Sequence, residues 1–196
     1  MSPLTNEEQL FLLRLARQAL ETCLEHKRAV KLPPDASKLP SALRELARLF
    51  VSLHKWGELR GCVGFVEPRL PLYQAVIDTA LAAATQDPRF SPVEPAELSE
   101  IAVEISVLSQ PLPITMQEIQ IGVHGLIVTQ GRMRGLLLPQ VAAERQWSPE
   151  HFLEETCRKA GLACDAWKSG ARVEAFQANV FGEKSLAERA AYRTLL

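Results

Sequence analysis

Phe50-Val51-Ser52-Leu53-His54, Lys55-Trp56-Gly57-Glu58 and Leu59-Arg60-Gly61-Cys62-Val63-Gly64-Phe65-Val66 follow one another without a break: two runs rich in β-branched and aromatic residues, closed by a tetrapeptide that contains glycine. The pattern predicts an antiparallel hairpin. Strand side chains alternate between faces, so Leu59, Gly61, Val63 and Phe65 are expected to face a core, with Arg60, Cys62, Gly64 and Val66 opposite.

Working outward, Leu72, Ala75, Val76, Thr79, Ala80 and Ala83 keep a helical period that Asp87-Pro88 ends. Residues 101–108 alternate, which predicts a strand with Ile101, Val103, Ile105 and Val107 on one face and Glu104 and Ser106 on the other. The same order then returns. Gly125 to Thr129 and Met133 to Leu138 form a second hairpin, Ser148 and Pro149 announce a helix that stops at Gly161, and Val173 to Phe181 is a last strand. Leu53 and Ile127 lie 74 residues apart, Arg60-Gly61 and Arg134-Gly135 likewise 74, and Val103-Glu104 and Val173-Glu174 70. The reading is a divergent duplication of a hairpin-helix-strand unit: an α+β fold with a mostly antiparallel sheet and helices packed on it. The organisation expected is one domain over residues 1–196. It opens with a long helix capped by Thr5 and Glu8 and a proline-rich connector (1–40), continues through two halves (46–110 and 122–182), and closes on a tail helix (183–196). Leu136 to Gln140 reads as a strand covered on both faces.

With 196 residues, 47% hydrophobic, and 22 Lys and Arg against 23 Asp and Glu, the chain lacks the positive surplus that general nucleic-acid binding needs. No apolar run reaches the ~18 residues of a membrane span, and the polar, acidic start predicts a cytoplasmic protein. Cysteines 23, 62, 157 and 164 contain no Cys-x-x-Cys pair and are expected as free thiols, with Cys23 and Cys157 on apolar helix faces. Histidines 26, 54, 124 and 151 form no ligand motif, so local spacing supplies no metal site and no cofactor is implied; ligands gathered from distant strands stay open.

The candidate site follows from the strand faces. If the polar face of the 101–108 strand continues that of the Cys62 strand, Arg60, Cys62, Glu104 and Ser106 share one surface with Ser52 and His54. Arg60 would then anchor an anionic group, Glu104 would hold Arg60 or accept a proton, and His124 or His54 would serve Cys62 as base. Asp87 and Arg89, in a loop clamped between prolines, and Gln140 are further binding candidates. The plainer reading of each is structural: a solvated sheet face with a cross-strand pair, a helix stop with a local Asp-Arg pair, an exposed glutamine.

Leu59-Arg60-Gly61-Cys62-Val63-Gly64, Asp87-Pro88-Arg89-Phe90, Val103-Glu104-Ile105-Ser106-Val107-Leu108, Gly122-Val123-His124-Gly125-Leu126, Leu137-Leu138-Pro139-Gln140-Val141 and Lys159-Ala160-Gly161-Leu162 together resemble the AMMECR protein family, in order and over nearly the whole chain. The family's Leu-Arg-Gly-Cys-Ile-Gly hexapeptide changes here only at Val63. The resemblance implies a larger and a smaller subdomain with a cleft between them, a functional role for Leu59 to Gly64, and a gene neighbourhood with Memo-like and radical-SAM proteins; it implies no accepted reaction. Two functions are therefore expected. One is cleft binding of a small molecule or modified peptide at the Arg60/Cys62 strand, with or without cysteine chemistry. The other is a non-enzymatic adaptor docking a Memo-like or radical-SAM partner, with Arg60 and Trp167 as anchors. A third possibility makes the hexapeptide a folding element.

Overall fold

The computed structural model describes residues 4–25 and 36–183. His26, most of the proline-rich connector and the tail helix after Glu183 lie outside the described residues. Two compact units divide the rest, a larger one up to Val107 that also takes the residues from Asn179 onward, and a smaller one from Leu108 to Ala178.

In the larger unit, α1 (Asn6–Leu24) starts on the capping box read from the sequence: Glu8 N–H donates to Thr5 Oγ1 and Thr5 N–H to Glu8 Oε2. A short α2 (Ser41–Arg44) leads into β1 (Leu49–Lys55) and β2 (Glu58–Phe65), which form the hairpin. Its turn has φ of 53° at Trp56 and 95° at Gly57, two consecutive positive values that suit the right-handed twist of the flanking strands. Next come α3 (Leu72–Thr85) and β3 (Ile101–Leu108), which pairs antiparallel with β1. The order β2-β1-β3 turns Leu49, Val51, Leu53, Val103, Ile105 and Val107 onto α1 and α3, where Leu12, Ala16, Leu20, Leu72, Val76 and Ala80 complete a buried core.

The smaller unit repeats this plan. β5 (His124–Gln130) pairs with β6 (Met133–Leu137) and with β7 (Arg172–Gly182), whose last residues belong to the larger unit, and a two-residue β4 (Leu112–Pro113) adds to β7. α5 (Pro149–Lys159), capped by Ser148 Oγ accepting from His151 N–H, packs Phe152, Leu153 and Cys157 inward. The Leu136 to Gln140 strand ends early, because Pro139 takes the first position of α4 (Pro139–Glu144), where its missing N–H is not needed.

The two units correspond by register. Leu53 lies opposite Gly61 and Val103; Val128 lies opposite Gly135 and Val173. Leu53 thus matches Val128 rather than Ile127, because the first hairpin holds one extra residue: the register slips between Leu53/Gly61 and His54/Leu59, leaving Arg60 as a bulge. Both glycines serve one purpose. A Cβ on Gly61 would stand 2.2 Å from the Ala83 carbonyl oxygen of α3, and one on Gly135 would stand 2.4 Å from Ala160 N at the end of α5. Each strand meets its helix backbone with no room for a side chain. All four cysteines are free; Cys157 is fully buried and its thiol pushed up by burial, whereas Cys23 is only partly buried. Among the described residues no helix is long and apolar enough to cross a membrane.

Candidate functional site

β2 is an edge strand, and its free edge is fastened by the turn after α3. Cys62 N–H donates to Asp87 Oδ2 (2.8 Å), and Arg89 Nη2 donates to the Cys62 carbonyl (3.2 Å). Both backbone groups of Cys62 therefore point away from β1, so Cys62 and Ser52 form a non-hydrogen-bonded pair, the geometry that brings opposed side chains closest. Ser52 Oγ accordingly donates to Cys62 Sγ at 3.3 Å. Ser52 also lies opposite Glu104, so Cys62, Ser52 and Glu104 form one row across three strands on the face away from the core. His54 occupies the same face; its Nε2 is buried, has no hydrogen-bond partner among the described residues and lies 3.9 Å from Glu104 Oε1. Ser106 is also there, nearly fully buried opposite Phe50.

Arg60 does not join this row. The bulge re-aims it, and its guanidinium donates to Glu97 through Nε and Nη2 (3.1 and 2.9 Å) and to the Ser91 and Pro92 carbonyls (2.8 and 3.3 Å). Glu97, in the helical turn Pro95–Glu97, also accepts from Lys55 Nζ and Glu94 N–H. Its carboxyl is pulled down to about 2, chiefly by Arg60 and then by the Glu94 amide. The expectation that Glu104 holds Arg60 is thus corrected: its carboxylate partner is Glu97, and every guanidinium nitrogen is engaged. No periodicity or motif links Glu97 to a strand 37 positions earlier, which is why the sequence reading missed it.

Asp87 is almost fully buried. It accepts from Arg89 Nε and Nη2 (2.9 and 2.7 Å) and from two backbone amides, those of Cys62 and Arg89. Arg89 first, then the amides, hold its carboxyl far below the usual carboxylate range despite burial. The local Asp-Arg pair expected from the sequence is present, and it also grips the backbone of Cys62. The Arg89 side chain remains 54% exposed.

The other sequence candidates scatter. Leu59 is 40% exposed at the end of the hairpin, while Val63 packs on the core and Gly61 and Gly64 are filled by close neighbours, the Ala83 carbonyl and the Phe50 ring. His124, whose Nδ1 accepts from Gln120 N–H, and Gln140, whose buried Oε1 has no partner among the described residues, stand in the smaller unit. Trp167 is half-buried and packs against that unit's core. Among the described residues no three His, Cys, Asp or Glu side chains gather to hold a metal ion.

These features define an α+β protein with two hairpin-helix-strand units and a thiol-bearing edge strand latched by an Asp-Pro-Arg turn. The AMMECR1 family model matches residues 13–181, and the chain belongs to the AMMECR1 family. It is 45% identical over 201 residues to a protein of Thermofilum pendens, covering 93% of each chain, and 46% identical over 190 residues to one of Methanothermobacter thermautotrophicus, covering 93% of this chain and 97% of that one. The crystal structure of an uncharacterized protein from Pyrococcus horikoshii superposes with a TM-score of 0.85 at 41% identity, covering 92% of this chain and 93% of the other.

Proposed function

We propose that the row Cys62-Ser52-Glu104 binds a small molecule or modified peptide, with Cys62 as the group that meets it. One observation carries this reading: in the matching row of the smaller unit, Leu136, Ile127 and Glu174 stand where Cys62, Ser52 and Glu104 stand here. The architecture is built there with two aliphatic side chains, so a thiol joined to a hydroxyl is not a demand of the fold. Ser52 orients the thiol, and Glu104 with His54 supplies acid-base capacity on the same face. Alkylation of the folded protein by iodoacetamide at neutral pH, followed peptide by peptide, tests this. Cys62 is expected to react faster than glutathione, and Ser52→Ala to change that rate without unfolding the chain; a rate equal to or below that of glutathione removes the reading.

A second reading has its own observation. Trp56, at the tip of the first hairpin, is 77% exposed beside exposed Leu59, which suits an adaptor surface for a Memo-like or radical-SAM partner better than Arg60 or Trp167 does. Loss of co-purification with such a partner in Trp56→Ala, with Cys62 labelling unchanged, is its expected signature; retained co-purification removes it.

A further inference from the structure

We propose that the ligand of the Cys62 row carries an anionic group, a carboxylate or a phosphate, and that Arg89 grips it; this rests on the preceding reading of the row. Two arginines adjoin Cys62, and the geometry separates them. Arg60 is 15% exposed and its three guanidinium nitrogens are all engaged, by Glu97 and by two carbonyls. Arg89 donates from Nε and Nη2, whereas its Nη1 has no partner among the described residues.

Arg89 is also pre-organised. Asp87 holds it bidentately, the Cys62 carbonyl fixes Nη2, and the guanidinium lies over the Phe90 ring at 5.4 Å. Little side-chain freedom remains to be lost when an anion arrives. The partner carboxylate does not cancel this charge at the surface. The Asp87 side chain is 3% exposed and its charge is shared among two amides and the guanidinium, while Arg89 is 54% exposed. The pair therefore shows solvent its cationic half, with the two N–H groups of Nη1 left to donate to an oxyanion. The guanidinium stands beside the residue that carries the thiol, its Nη2 donating to the Cys62 carbonyl at 3.2 Å. At the far end of the row Glu104, beside His54, repels a second negative charge. Polarity along the row thus fixes the orientation of the ligand, anion toward Arg89.

Two thiol reagents that differ in charge test the assignment on the full chain. Iodoacetate and iodoacetamide both form an S–C bond at Cys62 as iodide leaves and the thiol proton passes to buffer; only iodoacetate brings a carboxylate. The ratio of their rate constants at Cys62 is expected to exceed the same ratio for glutathione by about tenfold. It should fall to the glutathione value in Arg89→Gln and recover in part in Arg89→Lys, with a thermal melt confirming that both variants fold. Competition by acetate or by inorganic phosphate, run as separate arms, shows which oxyanion Arg89 prefers. If iodoacetamide labels Cys62 faster than glutathione while the ratio matches that of glutathione, the anionic class is wrong and the binding row survives. If iodoacetamide is no faster at Cys62 than at glutathione, the row itself is wrong and the inference falls with it.

Discussion

Two arginines placed 29 positions apart end within reach of one cysteine with opposite duties, and the difference lies in how many donors each has left. Arg60 uses donors on all three nitrogens of a planar guanidinium to tie β2 to the Ser91 and Pro92 carbonyls and the Glu97 carboxylate, which an ammonium cannot reproduce. Arg60→Lys is therefore expected to lower stability by about 1–3 kcal/mol, read by denaturant unfolding, and to leave the iodoacetate preference at Cys62 intact. An unchanged unfolding midpoint would refute the clamp. The sequence placed Arg60 on the Cys62 face because strict alternation puts residues 60 and 62 together. A bulge breaks that alternation by one position, and nothing in Leu59-Arg60-Gly61 announces it. Cys62, Ser52 and Glu104 were legible as one face because the register there is regular.

At the level of elements, the segment from Asp87 to Glu97 is a strap laid along the free edge of β2, covering the backbone of an edge strand that could otherwise pair with another chain. It is held at both ends by carboxylates whose protons bind less readily in the fold than in the unfolded chain. Glu97 titrates near 2 instead of near 4.5, so its contribution is complete above about pH 4.5 and is lost as pH falls toward 2; Asp87 acts in the same direction at lower pH. We predict a decline in stability across that window on the order of 2 kcal/mol from Glu97, part of it screened by solvent, and a flatter profile in Glu97→Gln from pH 4.5 downward. Parallel curves for the two proteins in an acid unfolding series would exclude Glu97 as the source. Elements with local signals were readable: the Thr5 and Glu8 capping box, the Ser148-Pro149 start of α5, the alternation of β3. α4 was not, since Leu136-Leu137-Leu138 carries no period and only Pro139 marks the change from strand to helix. In sequence the strap reads only as a helix stop, because its purpose depends on a strand distant along the chain.

For the molecule as a whole, the duplicated plan separates what the architecture requires from what one copy has added. The glycine that faces a helix backbone occurs in both units, at Gly61 and Gly135, whereas the thiol and hydroxyl occur in one and aliphatic side chains replace them in the other. Shared features should carry stability and unshared ones function. Gly61→Ala drives a methyl group into the Ala83 carbonyl at 2.2 Å, and Gly135→Ala drives one toward Ala160 N and the Thr156 carbonyl at 2.4 and 2.6 Å. Neither obstacle is the end of a flexible side chain, so strand and helix must separate, at a cost of about 1–3 kcal/mol or more in each unit. Cys62→Ala removes one half-buried sulfur and a single weak hydrogen bond from Ser52, and should cost about 1 kcal/mol or less. The three variants, compared by denaturant unfolding under one condition, should therefore order as two damaging glycine replacements and one mild cysteine replacement, with only the last abolishing labelling at the row. A Cys62→Ala chain as unstable as the Gly61→Ala chain would mean that the thiol is packing, and the hexapeptide a folding element throughout.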